Sequence, residues 1–247
     1  MVPSKRLSLL QSIPLDQYAT YGYAVIPKVF TPMETDLMRL HAYESIPSSL
    51  KLDPRRIQYR TPDSASPSLM FWPKDINWYL ANVAEDFRMR TIVSMILGTK
   101  EIRQINNQIY FRESGDGDEF AWHQDISFRT PPEDFQNIES GYLQTVIVVD
   151  PMYQENGAIE FIPRSHRWGD MHLIPRDGSE LGLREFIRGD WSGIKIKANP
   201  GDVLVWNVMV VHGSEKNESG RNRMTYMNGF AREDSVLNKT RFPKYAI

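Results

Sequence analysis

The 247-residue chain is 41% apolar and 24% charged, a globular mix that excludes collagen, coiled coil and wholesale disorder. Its 29 Lys and Arg against 31 Asp and Glu leave a net charge of −2, so no broad basic field points to nucleic acid or an anionic membrane. Cysteine is absent, which removes disulfides, iron–sulfur centres and thiol nucleophiles and leaves any metal to His, Asp and Glu.

The apolar run Leu7-Ser8-Leu9-Leu10 is cut off by Gln11, Ser12 and Pro14, too soon for a signal peptide or a membrane span. A cytoplasmic protein is expected, and the glycosylation-like triplets at Asn217 and Asn238 then read as chance. Thr31-Pro32-Met33-Glu34 combines a capping box with proline at the first helical position and predicts a helix over about 32–45. Residues 48–72, rich in Pro, Ser and Asp, predict an extended loop. A second helix is predicted over about 76–97, with Gly98 as its stop.

After Gly98 the period changes to two. Ile105, Asn107, Ile109 and Phe111 alternate with Gln104, Asn106, Gln108 and Tyr110, the pattern of a strand. Further strands are predicted over 120–128, 142–149, 158–163, 194–198, 202–211 and 223–231, with turns at Asn156-Gly157, Pro200-Gly201-Asp202 and 217–220. Many short strands without alternating helices predict antiparallel β structure, a barrel or double-sheet jelly roll with the helices outside. No linker or repeat divides the chain, so a single domain over 1–247 is expected, helical over about 1–100 and β over about 101–232.

Two segments carry chemistry. In Trp122-His123-Gln124-Asp125, strand geometry puts His123 and Asp125 on one face, where together they could grip a divalent metal. Farther on, the apolar run Val203 to Val211 reads as one long strand ending at His212, with Ser214 of the same parity. A hairpin folding back near 217–218 would set Arg223 opposite His212 on a shared face. Arg221 has the same parity, and spacing alone does not choose between them. Two imidazoles and one carboxylate leave open positions on a metal, the arrangement of non-heme Fe(II) oxygenases. A planar guanidinium beside it suits the far carboxylate of a dicarboxylate cosubstrate.

With these motifs in view, the sequence resembles the phytanoyl-CoA dioxygenase-like family of Fe(II)/2-oxoglutarate-dependent oxygenases over about 15–232. The resemblance rests on Tyr21 to Pro27, Trp122 to Asp125, Val148 to Asp150 followed by Glu155 to Arg167, and Pro200 to Leu204 leading to His212-Gly213-Ser214 and Arg223. It implies a mainly β fold with flanking helices around a double-stranded β-helix (jelly-roll, cupin-like) core. It also implies iron held by His123, Asp125 and His212, with 2-oxoglutarate and O2 as cosubstrates. Arg223 and Ser214 would take the far carboxylate of 2-oxoglutarate, Gln108 would hydrogen-bond to it, and Thr145 is a further candidate. The implied reaction oxidises a C–H bond of a small organic molecule, by hydroxylation in the default case; desaturation and oxidative cyclisation or rearrangement also occur in the family. Asp125 argues against halogenation, for which related enzymes carry a small residue there. The chain departs from the family pattern at Val146 (often Trp), at Arg164 (often Gly) and at Arg129 (an aromatic residue in some members).

Phe120, Phe128, Asn106 and Arg129 are the candidate substrate contacts. His41 falls on the first predicted helix and reads as scaffold; His166 and His172 read as rim or lid. Trp122 and Trp206 read as core. Loops 48–75 and 164–192 are expected to cover the pocket. A non-catalytic metal-binding jelly-roll module is the alternative from another class. A zinc hydrolase fits less well, because His-x-Asp on a strand is not the helical His-Glu-x-x-His pattern. The substrate is expected to be a small molecule, with no nucleic acid or membrane partner.

Overall fold

The computed structural model describes residues 13–59, 67–115, 119–171, 174–175, 184–185 and 193–240. Two antiparallel sheets face each other. The larger joins β1 (Tyr23–Ile26), β11 (Val203–Asn207), β6 (Tyr142–Val148), β13 (Arg223–Arg232), β4 (Ile102–Arg112), β3 (Leu69–Phe71) and β2 (Ile57–Gln58), in that spatial order. The smaller joins β10 (Ile194–Lys195), β7 (Ile159–Phe161), β12 (His212–Ser214) and β5 (Phe120–His123). This is the expected mainly β jelly roll with flanking helices. A two-stranded ribbon, β8 (Ile174–Pro175) with β9 (Arg184–Glu185), lies in the segment predicted as a lid. The rest of that segment from 172 to 192, with His172, lies outside the described residues.

Between the sheets Tyr23, Val146, Val148, Phe161, Leu204 and Trp206 form an apolar core, with Tyr23 stacked on Phe161 at 4.5 Å. The outer face of the large sheet, with Ile109, Ile147, Val203, Val205 and Tyr226, packs against the helices through Met38, Leu80, Met89 and Ile92. Burying side chains of this size fully is worth about 1.5–3 kcal/mol each, and both layers draw on it.

The first helix, α1 (Leu15–Tyr21), stops at Gly22, whose φ of 84° is a left-handed conformation suited to glycine. The capping box at Thr31 is formed as predicted: Glu34 N–H donates to Thr31 Oγ1 and Glu34 Oε2 accepts from Thr31 N–H. The helix it opens, α2 (Pro32–Leu52), runs seven residues beyond the predicted end at 45 and through Pro47. Buried Ser45 and Ser49 let it lie close to the sheet, and Ile46 and Leu50 pack on the core, so tertiary contact outweighs the missing N–H. The start of the predicted 48–72 loop is therefore helical. The predicted 76–97 helix is two: α3 (Trp78–Ala84) and α4 (Phe87–Leu97). Asp86 breaks them apart by capping α4 through Arg88 N–H at 2.8 Å. A short α5 (Ile138–Gly141) leads into β6. Three short strands, β1 to β3, come from the first hundred residues and extend the large sheet, so this part is not helical alone.

The turn 200–202 fixes the edge strand. Asp202 accepts from Lys28 N–H and Asn199 N–H, both at 2.8 Å, and Phe30 N–H donates to Gly201 O. Gly201 has φ of 90°, and a Cβ there would collide with the Phe30 carbonyl. Neither the conformation nor the backbone neighbour can yield cheaply. We expect Gly201→Ala to lower unfolding free energy by at least about 2 kcal/mol, read by denaturant titration; an unchanged midpoint would refute the packing described.

Three predicted elements need correction. The 120–128 strand ends at His123, and Asp125–Phe128 is a turn of 3₁₀-helix closed by Ser127 N–H to Gln124 O and Arg129 N–H to Ile126 O. The 202–211 strand stops at Asn207, because Asn207 Oδ1 accepts from Met209 N–H and turns the chain. After it the chain crosses to the other sheet, so His212 opens β12 rather than closing a long strand. Arg223 consequently does not lie opposite His212: it pairs with Arg112 in the large sheet, whereas His212 pairs with His123 and Phe161 in the small one. Arg164 adopts φ of 69°, where glycine is at ease, at the position the family pattern fills with glycine.

Candidate active site

His123 closes β5, His212 opens β12, and their rings stand 4.2 Å apart between centroids. Asp125, at the head of the 3₁₀-turn, brings Oδ2 to 3.8 Å from His212 Nε2. One ligand atom from each of the three lies within 4.8 Å of the others, and all three residues are buried. The expected His–Asp–His set is thus brought together, although by a turn rather than by strand parity.

Each member is oriented by a partner behind it. His123 Nδ1 donates to the Ala121 carbonyl at 2.8 Å and His212 Nδ1 to the Val210 carbonyl at 2.9 Å, an assignment that follows because a carbonyl only accepts. In the neutral form of each ring, Nε2 then carries the lone pair. Trp206 Nε1–H donates to Asp125 Oδ2 at 2.7 Å. Burial and the neighbouring His212 pull the His123 pKa down to about 4, against the pull of Asp125, so its imidazole is neutral at physiological pH. Two imidazoles, each turned by a backbone carbonyl, and an oriented carboxylate are a donor set that suits a divalent iron. Gln124, between the ligands, is fully buried and holds the loop by donating to Gly169 O and Met209 O and accepting from Met171 N–H.

The cluster opens into a cavity of about 1340 Å³ between the sheets. Arg223, Ser214, Gln108, Phe120, Phe128, Asn106 and Arg129 all line it. Thr145 does not. It sits on the opposite face of β6, donating to Asn228 O at 2.8 Å, and Gln144 beside it lines the cavity instead. Arg221, the rival to Arg223 by parity, is exposed outside. His41 stacks on Tyr79 at 4.7 Å, and His166 lies in a 3₁₀-turn away from the cavity lining. Arg56, Gln58, Ser68, Phe71, Trp72 and Lys74 come from the segment expected to cover the pocket and do line it.

At one end, two arginines stand side by side as cross-strand partners, Arg112 and Arg223. Arg112 stacks on Phe120 at 4.9 Å and donates to the Glu215 carbonyl. Arg223 is 4% exposed, and its Nε and Nη1 are buried without a hydrogen-bond partner, as is Ser214 Oγ. Burial and the Arg112 charge lower its pKa to about 9, against the attraction of Asp150, so it remains a cation at neutral pH. A buried cation with open donors, next to a second cation and a hydroxyl, is a receptor for a carboxylate. Along β4, Asn106 Nδ2 and Tyr110 OH both donate to Gln108 Oε1, at 3.3 and 3.2 Å. Trp206 is core, as expected, and also reaches Asp125; Gln144 and Arg112 join the site without a motif that marks them in the sequence.

The sequence matches the family model for phytanoyl-CoA dioxygenase (PhyH) over residues 18–225. The chain belongs to that family. This PhyH-family protein is an oxidoreductase, an oxygenase using iron and 2-oxoglutarate, and the two nitrogens, one carboxylate and unpartnered arginine described above fit that pair. No curated protein matches its sequence. Three solved structures illustrate the fold. EctD from S. alaskensis with 2-oxoglutarate and 5-hydroxyectoine is 18% identical, with a TM-score of 0.73 over 90% of this chain and 76% of that one. The epimerase SnoN with Fe3+, alpha-ketoglutarate and nogalamycin RO is 17% identical, TM-score 0.69, over 92% and 84%. EvdO2 from Micromonospora carbonacea var. aurantiaca with 2-oxoglutarate is 19% identical, TM-score 0.69, over 91% of each chain. Among the described residues no helix is long and apolar enough to cross a membrane.

Proposed function

We propose that this oxygenase oxidises an unactivated C–H bond of a small organic molecule, hydroxylation being the default outcome, and that its substrate is a natural-product intermediate. Carrying this reading is the pairing of a buried three-ligand cluster with a buried arginine that lacks partners, in one cavity. Iron, 2-oxoglutarate and oxygen together supply an oxidant able to take hydrogen from such a bond, 2-oxoglutarate leaving as succinate and carbon dioxide.

In this reading His123, Asp125 and His212 hold the metal through Nε2, one carboxylate oxygen and Nε2. Ala121 O and Val210 O keep each Nδ1 protonated and each ring turned, so metal binding needs no change of tautomer. Arg223 and Ser214 bind the far carboxylate of 2-oxoglutarate, and Gln108 hydrogen-bonds along its length. Phe120 and Phe128, the latter edge-on to His123 at 5.6 Å, keep water from the reacting face.

Succinate release from 2-oxoglutarate under oxygen with Fe(II), screened with a metabolite library, tests the reading. We expect turnover in the wild type, and its complete absence under all these conditions would refute an oxygenase role. Trp206 provides a subtler check. Trp206→Phe removes the hydrogen bond that steadies Asp125 and is expected to weaken Mn(II) affinity by about 10–100-fold in a titration; unchanged affinity would show that Asp125 is held by other means.

A further inference from the structure

The cavity is lined by a further arginine, Arg129, to which the reading above gives no role in binding 2-oxoglutarate. Arg129 follows the 3₁₀-turn that carries Asp125, four residues on from that carboxylate. Arg129 stacks over the Tyr142 ring at 5.2 Å, and Tyr142 pairs with Ala231 near one end of β13, whereas Arg223 opens the other end.

Arg129 lines the cavity with its charge unbalanced. Its Nε is buried without a hydrogen-bond partner, and among the described residues no carboxylate pairs with it. Arg56 and Lys74, also in the lining, stand beside Asp75 at 3.2 Å and Glu85 at 3.9 Å. Around Arg129 the polar groups are under-used as well. Ser127 Oγ is buried without a partner, and Gln144 spends its amide N–H on Met227 Sδ, a weak acceptor, while its Oε1 accepts from Tyr142 OH. Gly229 makes this arrangement feasible, because a Cβ there would strike Gln144 Oε1 and Tyr142 OH. An unpaired guanidinium over an aromatic ring, with an unpartnered hydroxyl and a weakly engaged amide in the same lining, is a receptor for a planar or tetrahedral oxyanion.

Resting on the oxygenase reading above, we propose that the substrate carries an anionic group, a carboxylate or a phosphate monoester, bound by Arg129, and that its polar body lies against Ser127, Asn106 and Gln144. Arg129 then selects the substrate while Arg223 selects the cosubstrate.

The test uses the full chain loaded with Mn(II) and saturating 2-oxoglutarate under anaerobic conditions, titrated calorimetrically. Two matched series serve as probes: benzoate, phenyl phosphate and benzamide; galacturonate, galactose 6-phosphate and galactose. In at least one series an anionic member should bind about tenfold or more tightly than its neutral counterpart, and the better of carboxylate and phosphate identifies the group. Arg129→Gln should reduce that preference to within about two-fold, Arg129→Lys should retain part of it, and 2-oxoglutarate affinity should stay within about two-fold in both. No anion preference in either series, including no binding at all, overturns the proposal, as does a preference that survives Arg129→Gln. Failure of the wild type to bind 2-oxoglutarate, or undiminished binding by Arg223→Ala, would instead overturn the oxygenase reading beneath it.

Discussion

Replacing His212 with alanine is expected to abolish succinate formation from 2-oxoglutarate and to leave Mn(II) binding too weak to saturate. The cluster offers three protein ligands within 4.8 Å of one another, and the loss of one leaves a bidentate site in a cavity open to water. His123→Ala should behave in the same way, since the two rings enter the cluster from paired strands. The folded state should survive both changes, because the ligands contribute mainly to the site and the cores lie in separate layers. Circular dichroism and a thermal melt of the metal-free variants check this. Substantial turnover in both variants would remove the cluster from the chemistry.

Arg223→Met is expected to divide function from stability. Without cosubstrate the arginine is a buried cation next to Arg112, its Nε and Nη1 unsatisfied. An apolar side chain of similar length removes that penalty, and the metal-free, cosubstrate-free protein should gain about 1–3 kcal/mol. For a chain of this size that is about 2–4 °C in Tm per kcal/mol. The apparent KM for 2-oxoglutarate should rise by about 10²-fold or more, from the loss of charge-assisted hydrogen bonds worth about 1.5–3 kcal/mol each. The pH dependence has a defined sign. The folded-state pKa, lowered to about 9, lies below the unfolded value, so the unfolded chain holds this proton more tightly. Stability of the cosubstrate-free wild type should therefore climb as pH rises above about 9, and Arg223→Met should lack that increment. Saturating 2-oxoglutarate should raise the wild-type Tm far more than that of the variant. A destabilised variant that still binds 2-oxoglutarate normally would reverse the assignment.

Much of this site was legible in the sequence, through residues whose chemistry does not depend on which element carries them. His123, Asp125, His212, Ser214 and Arg223 do meet in one cavity, and the alternation from Gln104 to Tyr110 placed Asn106 and Gln108 on its wall. The route by which they meet was less legible. Val208 to Val211 remain buried while the chain leaves one sheet for the other, so hydrophobicity runs unbroken through the crossing and imitates one long strand. Only Asn207, with its side chain on Met209 N–H, marked the break. Strand parity likewise continued past His123 on paper, whereas Gln124 turns inward to hold backbone groups on other loops and sends Asp125 into a helical turn. Thr145 failed for a related reason: the cavity face of β6 belongs to Gln144, and composition does not tell which parity faces in when both faces are buried.

Because His212 and Arg223 stand on opposite walls, the stretch between them bridges the gap between the sheets. It is pinned midway by Asn217, fully buried, whose side chain donates to Arg112 O and Arg221 O and whose carbonyl accepts from Gly115 N–H. That burial also closes the Asn217 triplet to glycosylation. With both ends anchored in sheets and the middle clamped, the span from the His212 imidazole to the Arg223 guanidinium is fixed by the fold. On the reading proposed above, 2-oxoacids one carbon shorter or longer than 2-oxoglutarate should bind more weakly, which calorimetric titration checks.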